Sequence, residues 1–273
     1  MSETPFLAAC VQLRGSSDVA RNLAVTERLI RRAARYGARL IATPEATTYL
    51  GPHARKIALA ETVDGPTNAH FGALAAELGV TLVLGSIAER APGHDDRCYN
   101  TSIVFGPGGE RLATYRKLHL FDVDVPGGVR FRESDTTLPG DDVVVAQTEL
   151  GPLGLSVCYD MRFPELYRAL TDRGATMLAV PSAFTLMTGK DHWHTLLRAR
   201  AIECQSYVFA PAQWGEHDDA GLRRSYGHAL IVDPWGAVIG ECGDHEGLAL
   251  AEIHLDRVAQ VRSAIPVAAH RRV

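Results

Sequence analysis

The chain has 273 residues, 46% of them apolar and 22% charged, with a formal charge of −4 at pH 7. That is the composition of a globular protein with a sizeable core, and it argues against disorder and against a nucleic-acid partner, since no basic stripe is present to neutralise phosphates. No apolar run is long enough to span a bilayer and the start MSETPFLAACVQLRG lacks a basic n-region and a signal-like h-region, so a cytoplasmic protein with no membrane partner is expected.

In chain order, Phe6 to Leu13 reads as a buried strand, and Asp18 can cap a helix in which Leu23, Leu29, Ile30 and Ala33 recur at helical spacing up to Tyr36. Gly37 ends that helix, and a short apolar strand, Arg39 to Thr43, runs into Pro44-Glu45. A helix from about Thr67 to Leu78 stops at Gly79 and feeds a strand from Val80 to Ile87. Tyr99 to Phe105 and Glu110 to Tyr115 pair through the turn Gly106-Pro107-Gly108-Gly109.

The second half repeats the plan. Strands Val143 to Thr148 and Leu153 to Val157 flank Gly151-Pro152; Cys158 follows, and Pro164 suits the first position of a helix because its missing N–H is not needed there. Gly174 closes that helix before the strand Thr176 to Val180. The phrase from Gly37 to Ala46 aligns without gaps on the one from Gly174 to Ala183, so two related αβ halves with sheets face to face and helices outside are expected. A long helix over His192 to Ser206, strands Tyr207 to Pro211 and Gly227 to Val232, and the turn Asp233-Pro234-Trp235-Gly236 before Val238 complete the pattern. No linker or charge run divides the chain, so residues 1–273 are expected to form one domain, with a tail from about 265 to 273 available to dock on a partner subunit.

Three residues stand at comparable places, each just after an apolar strand: Glu45, Lys117 and Cys158. A nucleophile at a strand end before a turn and helix is held rigidly and lies near N–H groups that can bind an oxyanion. On position alone Cys158 reads equally well as a buried structural thiol, Glu45 as a strand-end charge and Lys117 as a surface lysine. Lysine, however, occurs only at 56, 117 and 190 among 28 basic residues, so each lysine raises the question whether its compact ammonium is required. The five cysteines, at 10, 98, 158, 204 and 242, are widely spaced without a CxxC and read as reduced thiols. His192, His194, His217, His228 and Cys204 are potential metal ligands, but in a helix residues two apart face different ways, and no metal or cofactor is expected.

Taken together, Pro44-Glu45-Ala46, the run from Tyr115 to Asp122 and the run from Cys158 to Leu166 resemble the three catalytic signatures of the nitrilase, or carbon-nitrogen hydrolase, superfamily, in the family's order. The segments Phe121 to Gly127 with Glu133-Ser134, Pro181 to Phe184, Leu197 to Glu203 and Ser225 to His228 resemble its Nit branch, the deaminated-glutathione amidases before the omega-amidases. The resemblance implies an α/β, four-layer α-β-β-α sandwich and an amidase that cleaves a small carboxylate-bearing amide through a cysteine thioester. By the same resemblance Cys158 is the nucleophile, Glu45 its base, Lys117 and the Tyr159 backbone N–H the oxyanion donors, and Glu133 a second glutamate that orients Lys117 or the substrate nitrogen. Arg162, Phe184 and Thr188 match substrate-pocket positions, and a homodimer is implied. The alternatives are an omega-amidase, another aliphatic amidase or N-carbamoyl hydrolase of the superfamily, and a non-catalytic binding module on the same scaffold.

Overall fold

The computed structural model describes residues 4–124, 130–217 and 224–272. Strands Phe6–Leu13 (β1), Ala38–Ala42 (β2), Thr81–Arg90 (β3), Cys98–Phe105 (β4) and Arg111–Arg116 (β5) come first, with helices Val19–Arg35 (α1), His53–Ala58 (α2) and Pro66–Leu78 (α3) among them. The middle adds Asp122–Asp124 (β6), Arg130–Arg132 (β7), Thr137–Leu138 (β8), Val145–Thr148 (β9) and Gly151–Leu155 (β10), then helix Pro164–Asp172 (α4), strand Met177–Ala179 (β11) and the long helix Leu186–Cys204 (α5). Last come Tyr207–Ala210 (β12), Ala212–Glu216 (β13), Arg224–Tyr226 (β14), Leu230–Val232 (β15), Val238–Glu241 (β16) and Gly247–Ile253 (β17), followed by helices Asp256–Ala264 (α6) and Val267–His270 (α7).

One sheet has the order β14-β13-β1-β2-β3-β4-β5, with β17 also on β1 and β8 on β4; the other runs β16-β15-β12-β11-β10-β9. The period-2 alternation of β1 explains the layering. Ala8 and Cys10 belong to a cluster shared with Leu153, Leu155, Met177 and Ala179 of the second sheet, whereas Ala9, Val11 and Leu13 pack with Leu29, Ile30 of α1 and Phe71, Leu74 of α3. Leu40 and Ala42 likewise join the inter-sheet core while Ile41 joins the helix side. On the second sheet, a β-carbon at Gly154 would touch Leu170 of α4, which puts a helix on that sheet's outer face. The chain is therefore the four-layer α-β-β-α sandwich expected from the sequence.

The two halves share a physical plan. Each sheet contains a parallel trio, β1-β2-β3 and β10-β11-β12, closed by an antiparallel strand, β4 and β15. The middle strand of each trio follows a glycine in left-handed conformation, Gly37 at φ 89° and Gly174 at φ 93°, which is what stops the preceding helix.

Some boundaries differ from the sequence expectation. Helix α5 begins at Leu186 rather than His192; its first turns include Gly189, which weakens the helical signal and is required because a β-carbon there would run into the Tyr226 ring. The strand expected from Gly227 starts only at Leu230, since Gly227 and His228 take φ of 79° and 55° and turn the chain. In the tail, Gln205 Nε2 donates to Ile265 O at 2.6 Å, and Arg271 pairs with Asp172 at 2.9 Å. Val273 falls outside the described residues, as do Val125, Pro126 and Gly127 of the segment after Phe121.

Gly85 shows how closely the sheet supports the residues before Glu45. A β-carbon there would overlap the backbone of Thr43 and Pro44. Gly85→Ala should destabilise the chain by about 1–3 kcal/mol, the usual penalty of overpacking, read as a lower denaturant midpoint at unchanged slope. A neutral midpoint would mean that the Thr43–Pro44 backbone yields freely.

Candidate active site

Glu45 follows β2 at a turn in which Ala46 is held at φ 55°, a conformation that costs a non-glycine residue of order 1–2 kcal/mol. Polar contacts from several elements fix this turn. Ser86 Oγ accepts from Ala46 N at 2.9 Å, Gln213 Nε2 donates to Glu45 O at 2.9 Å, and the Thr43 and Thr47 hydroxyls meet at 2.9 Å. Cys158 opens a 3-10 turn over Cys158–Arg162 and is itself at φ 49°, with its N–H donated to Pro181 O at 2.9 Å. Ala46 and Cys158 thus sit in strained backbone that only the surrounding fold maintains.

The side chains converge. Lys117, 2% exposed, donates its Nζ to Glu45 Oε1 at 3.0 Å and to Glu133 Oε2 at 2.8 Å. The buried Cys158 thiol lies close enough to both the Glu45 carboxylate and the Lys117 ammonium for their charges to act on it. Asn100 Nδ2 bridges the two carboxylates, 2.9 Å from Glu45 Oε1 and 3.1 Å from Glu133 Oε1. Backbone N–H groups complete the set: Ala183 donates to Glu45 Oε2 at 2.9 Å and Phe121 to Glu133 Oε2 at 2.7 Å.

The electrostatics follow from burial and proximity. Burial raises the Cys158 thiol well above its usual range and neighbouring Glu45 adds to this, while Lys117 only partly opposes it. Burial works against the Lys117 charge, but Glu133 and Glu45 outweigh it and hold the ammonium well above its ordinary value. Burial works against the Glu133 carboxylate, yet the Lys117 ammonium beside it prevails and holds the group below the usual range. At neutral pH the site therefore combines a thiol, not a thiolate, with a fixed cation.

These groups line one pocket, whose walls include the aromatic rings of Tyr49, Phe121, Phe131 and Phe184. Tyr159, Phe184 and Thr188 border it, as do two cationic side chains, Lys56 and Arg224. Arg162 is not among the lining residues: its guanidinium lies over the Phe184 and Tyr159 rings, 5.2 and 5.9 Å from their centroids, and its Nη2 is 3.4 Å from His192 Nδ1.

A family model described as carbon-nitrogen hydrolase matches residues 7–263. The chain belongs to the carbon-nitrogen hydrolase family. It is accordingly a hydrolase of carbon-nitrogen bonds other than peptide bonds. It is 44% identical to a deaminated glutathione amidase of Synechocystis over 98% of both chains, and 39% identical to the mouse omega-amidase NIT2 over 98% of this chain and 95% of that one. The crystal structure of the Caenorhabditis elegans NitFhit protein superposes with a TM-score of 0.93 at 39% identity, covering all of this chain and 66% of that longer one.

Sequence reasoning did not find the clamp that joins the Cys158 turn to the Lys117 segment. Asp160 is fully buried; its Oδ2 accepts from Tyr115 Oη at 2.7 Å and Val157 N at 2.8 Å, and its Oδ1 accepts from His119 N at 3.0 Å and meets His119 Nδ1 at 2.7 Å. The His119 ring stacks on Phe163 at 3.7 Å. Tyr115 and His119 flank Lys117 and Asp160 is two residues past Cys158, so one carboxylate spaces the two segments. The signal was present as a buried-type motif with an acid, but an aspartate beside Cys158 has no distinctive spacing until its partners are known. Asn100 was equally silent, being one polar residue within a strand.

Two outcomes follow. Asp160→Asn removes the charged acceptor from several donors and should lower kcat by up to ~100-fold, the scale of an ångström-level misplacement, with a smaller change in KM; Tyr115→Phe should cost less. An unchanged kcat in Asp160→Asn would show that the clamp does not set the geometry. Separately, the ultraviolet thiolate signal of wild type minus Cys158→Ala should be absent at neutral pH and emerge only above the ordinary thiol value of 9.0. A thiolate titrating below that value would contradict the raised thiol.

Proposed function

We propose that this hydrolase is an amidase that converts a small carboxylate-bearing amide to its acid and ammonia or an amine. The observation that carries the reading is the buried ion pair of Lys117 with Glu45 on the same pocket lining as the buried Cys158 thiol. Glu45 takes the thiol proton as sulfur attacks the amide carbon, so no standing thiolate is needed. The oxyanion forms between Lys117 Nζ and the Tyr159 backbone N–H, where a preorganised cation acts on charge that appears only in the transition state. Protonated Glu45 then gives its proton to the departing nitrogen, leaving a thioester on Cys158. Water that loses a proton to Glu45 attacks this thioester and releases the carboxylic acid and the free thiol. Glu133 holds the ammonium in place throughout. These steps use only protein side chains, one backbone N–H and water, with no metal or cofactor.

Within this class we favour an amide like deaminated glutathione, in keeping with the Synechocystis relative's name and with the cationic Lys56 and Arg224 on the pocket wall. Arg162, whose guanidinium lies over the Phe184 ring of the pocket wall, would steer a substrate carboxylate from outside the lining. An omega-amidase substrate is the second reading, favoured by the likeness to the mouse enzyme. The reading extends to one hydrolase domain over residues 1–273, assembled as a cytoplasmic homodimer.

Ammonia or amine release should be compared across deaminated glutathione, 2-oxoglutaramate, aliphatic amides, N-carbamoyl amino acids and nitriles, as kcat/KM. Cys158→Ala should abolish turnover, and intact-mass spectra of the wild type under substrate should show an acyl adduct absent from the variant. A Cys158→Ala protein as active as wild type would overturn the mechanism. A wild type that turns over nothing and forms no adduct would leave a binding module instead.

A further inference from the structure

Outside the catalytic pocket, residues from different elements bring a second set of donors together. His194 lies on α5, His228 in the turn between β14 and β15, and Glu241 ends β16. Glu241 Oε1 is 3.0 Å from His194 Nε2 and 2.7 Å from His228 Nδ1, and the three donor atoms lie within 4.8 Å of one another. The two helix histidines expected to diverge do so: His192 faces Arg162, and His194 alone joins this cluster.

The surroundings of His228 suggest what the cluster is for. Its Nδ1 faces Glu241 and its Nε2 faces Asp244 Oδ1 at 3.5 Å, so both ring nitrogens point at carboxylates. A neutral imidazole carries one N–H and one lone pair, and would aim that lone pair at an anion. Either an added proton or a cation at Nδ1 relieves this. With a cation at Nδ1 the proton resides on Nε2 and is donated to Asp244, the arrangement by which metal-bound histidines are oriented.

The ring is also held in advance. Trp193 Nε1 donates to His228 O at 2.8 Å, the Tyr226 ring stacks on the imidazole at 4.6 Å, and His228 keeps a left-handed φ of 55°. Strained backbone locked by packing is a mark of sites that must present a side chain in one direction. Two imidazoles and a carboxylate with solvent access for water form a donor set suited to zinc and its neighbours.

We propose that His194, His228 and Glu241 bind a divalent transition-metal ion, zinc foremost, with Asp244 orienting His228. The ion would fasten α5 to β16 rather than enter the amide chemistry. It also has a path to the pocket, because β14, whose Arg224 and Ser225 line that pocket, leads through Tyr226 into Gly227-His228, and Tyr226 N donates to Phe184 O at 2.8 Å.

The test uses the full chain, stripped with a chelator and titrated with Zn²⁺ and Co²⁺ at pH ~7.5, where ordinary imidazoles are neutral. One ion should bind per chain, and Co²⁺ should give visible d–d bands without the charge-transfer absorption that a ligating Cys158 or Cys242 thiolate would add. His194→Gln and Glu241→Gln should each weaken binding by ~100-fold or more and Asp244→Asn by ~10-fold, the range for residues that orient a ligand. Circular dichroism and metal-free turnover should stay at the wild-type level in His194→Gln and Glu241→Gln, which shows that the loss is not unfolding. Failure of wild type to bind Zn²⁺ at micromolar concentration, variants that bind as tightly as wild type, or a thiolate band would each overturn the proposal. A His228 resonance that Zn²⁺ leaves unmoved would do so too. None of these outcomes bears on the amidase reading, whose readout is turnover.

Discussion

An ammonium held away from water between two carboxyl groups is the constraint around which this molecule is arranged. Lys117 is almost wholly enclosed and touches both Glu45 and Glu133. Removing one partner from such a buried pair typically costs 3–5 kcal/mol, because the remaining charge has neither water nor a counterion. The arrangement survives only because its remaining valences are met: Asn100 bridges the carboxylates, the Ala183 N–H meets the other oxygen of Glu45, and the Phe121 N–H shares Glu133 Oε2 with the ammonium. Those donors come from strand, turn and loop, so the site depends on the whole sandwich being closed.

The sheets supply that closure by alternation. In β1 one set of side chains meets the opposite sheet and the other meets α1 and α3, so the strand ends are pinned from two sides. The pinning is strong enough to hold Ala46 and Cys158 in left-handed backbone, and Gly85 leaves room for the chain just before Glu45. Strain at these turns is the structural means by which a carboxylate and a thiol from different sheets are aimed at one point. Asp160 then fixes the spacing of the Cys158 turn against the Tyr115–His119 segment, so the ammonium and the sulfur are positioned by the same carboxylate.

The raised thiol and the retained ammonium belong together. A thiolate standing permanently beside Glu45 would place two anions close together, whereas in the proposed mechanism a thiol that loses its proton to Glu45 during attack would create negative charge only where Lys117 and backbone N–H groups could meet it. The cluster of His194, His228 and Glu241 is a different electrostatic solution, set at the half-exposed surface, where two imidazoles converge on one carboxylate oxygen.

Much of this was legible in the linear chain. Alternation and helix periodicity mark β1, α1 and α3, Gly37 and Gly174 announce the helix stops, and the unusual scarcity of lysine singles out residues 56, 117 and 190, of which 56 and 117 border the pocket and 190 does not. These features are local: a strand end, a left-handed glycine or a residue type is written within a few positions. The placement of Arg162 against aromatic rings, the bridging by Asn100, the clamp of Asp160 and the meeting of His194 with His228 and Glu241 were decided only in three dimensions. Each depends on contacts between segments remote along the chain, and which long-range partner a polar side chain meets is fixed by sheet register and helix rotation. Neither has a signature within a short stretch of sequence.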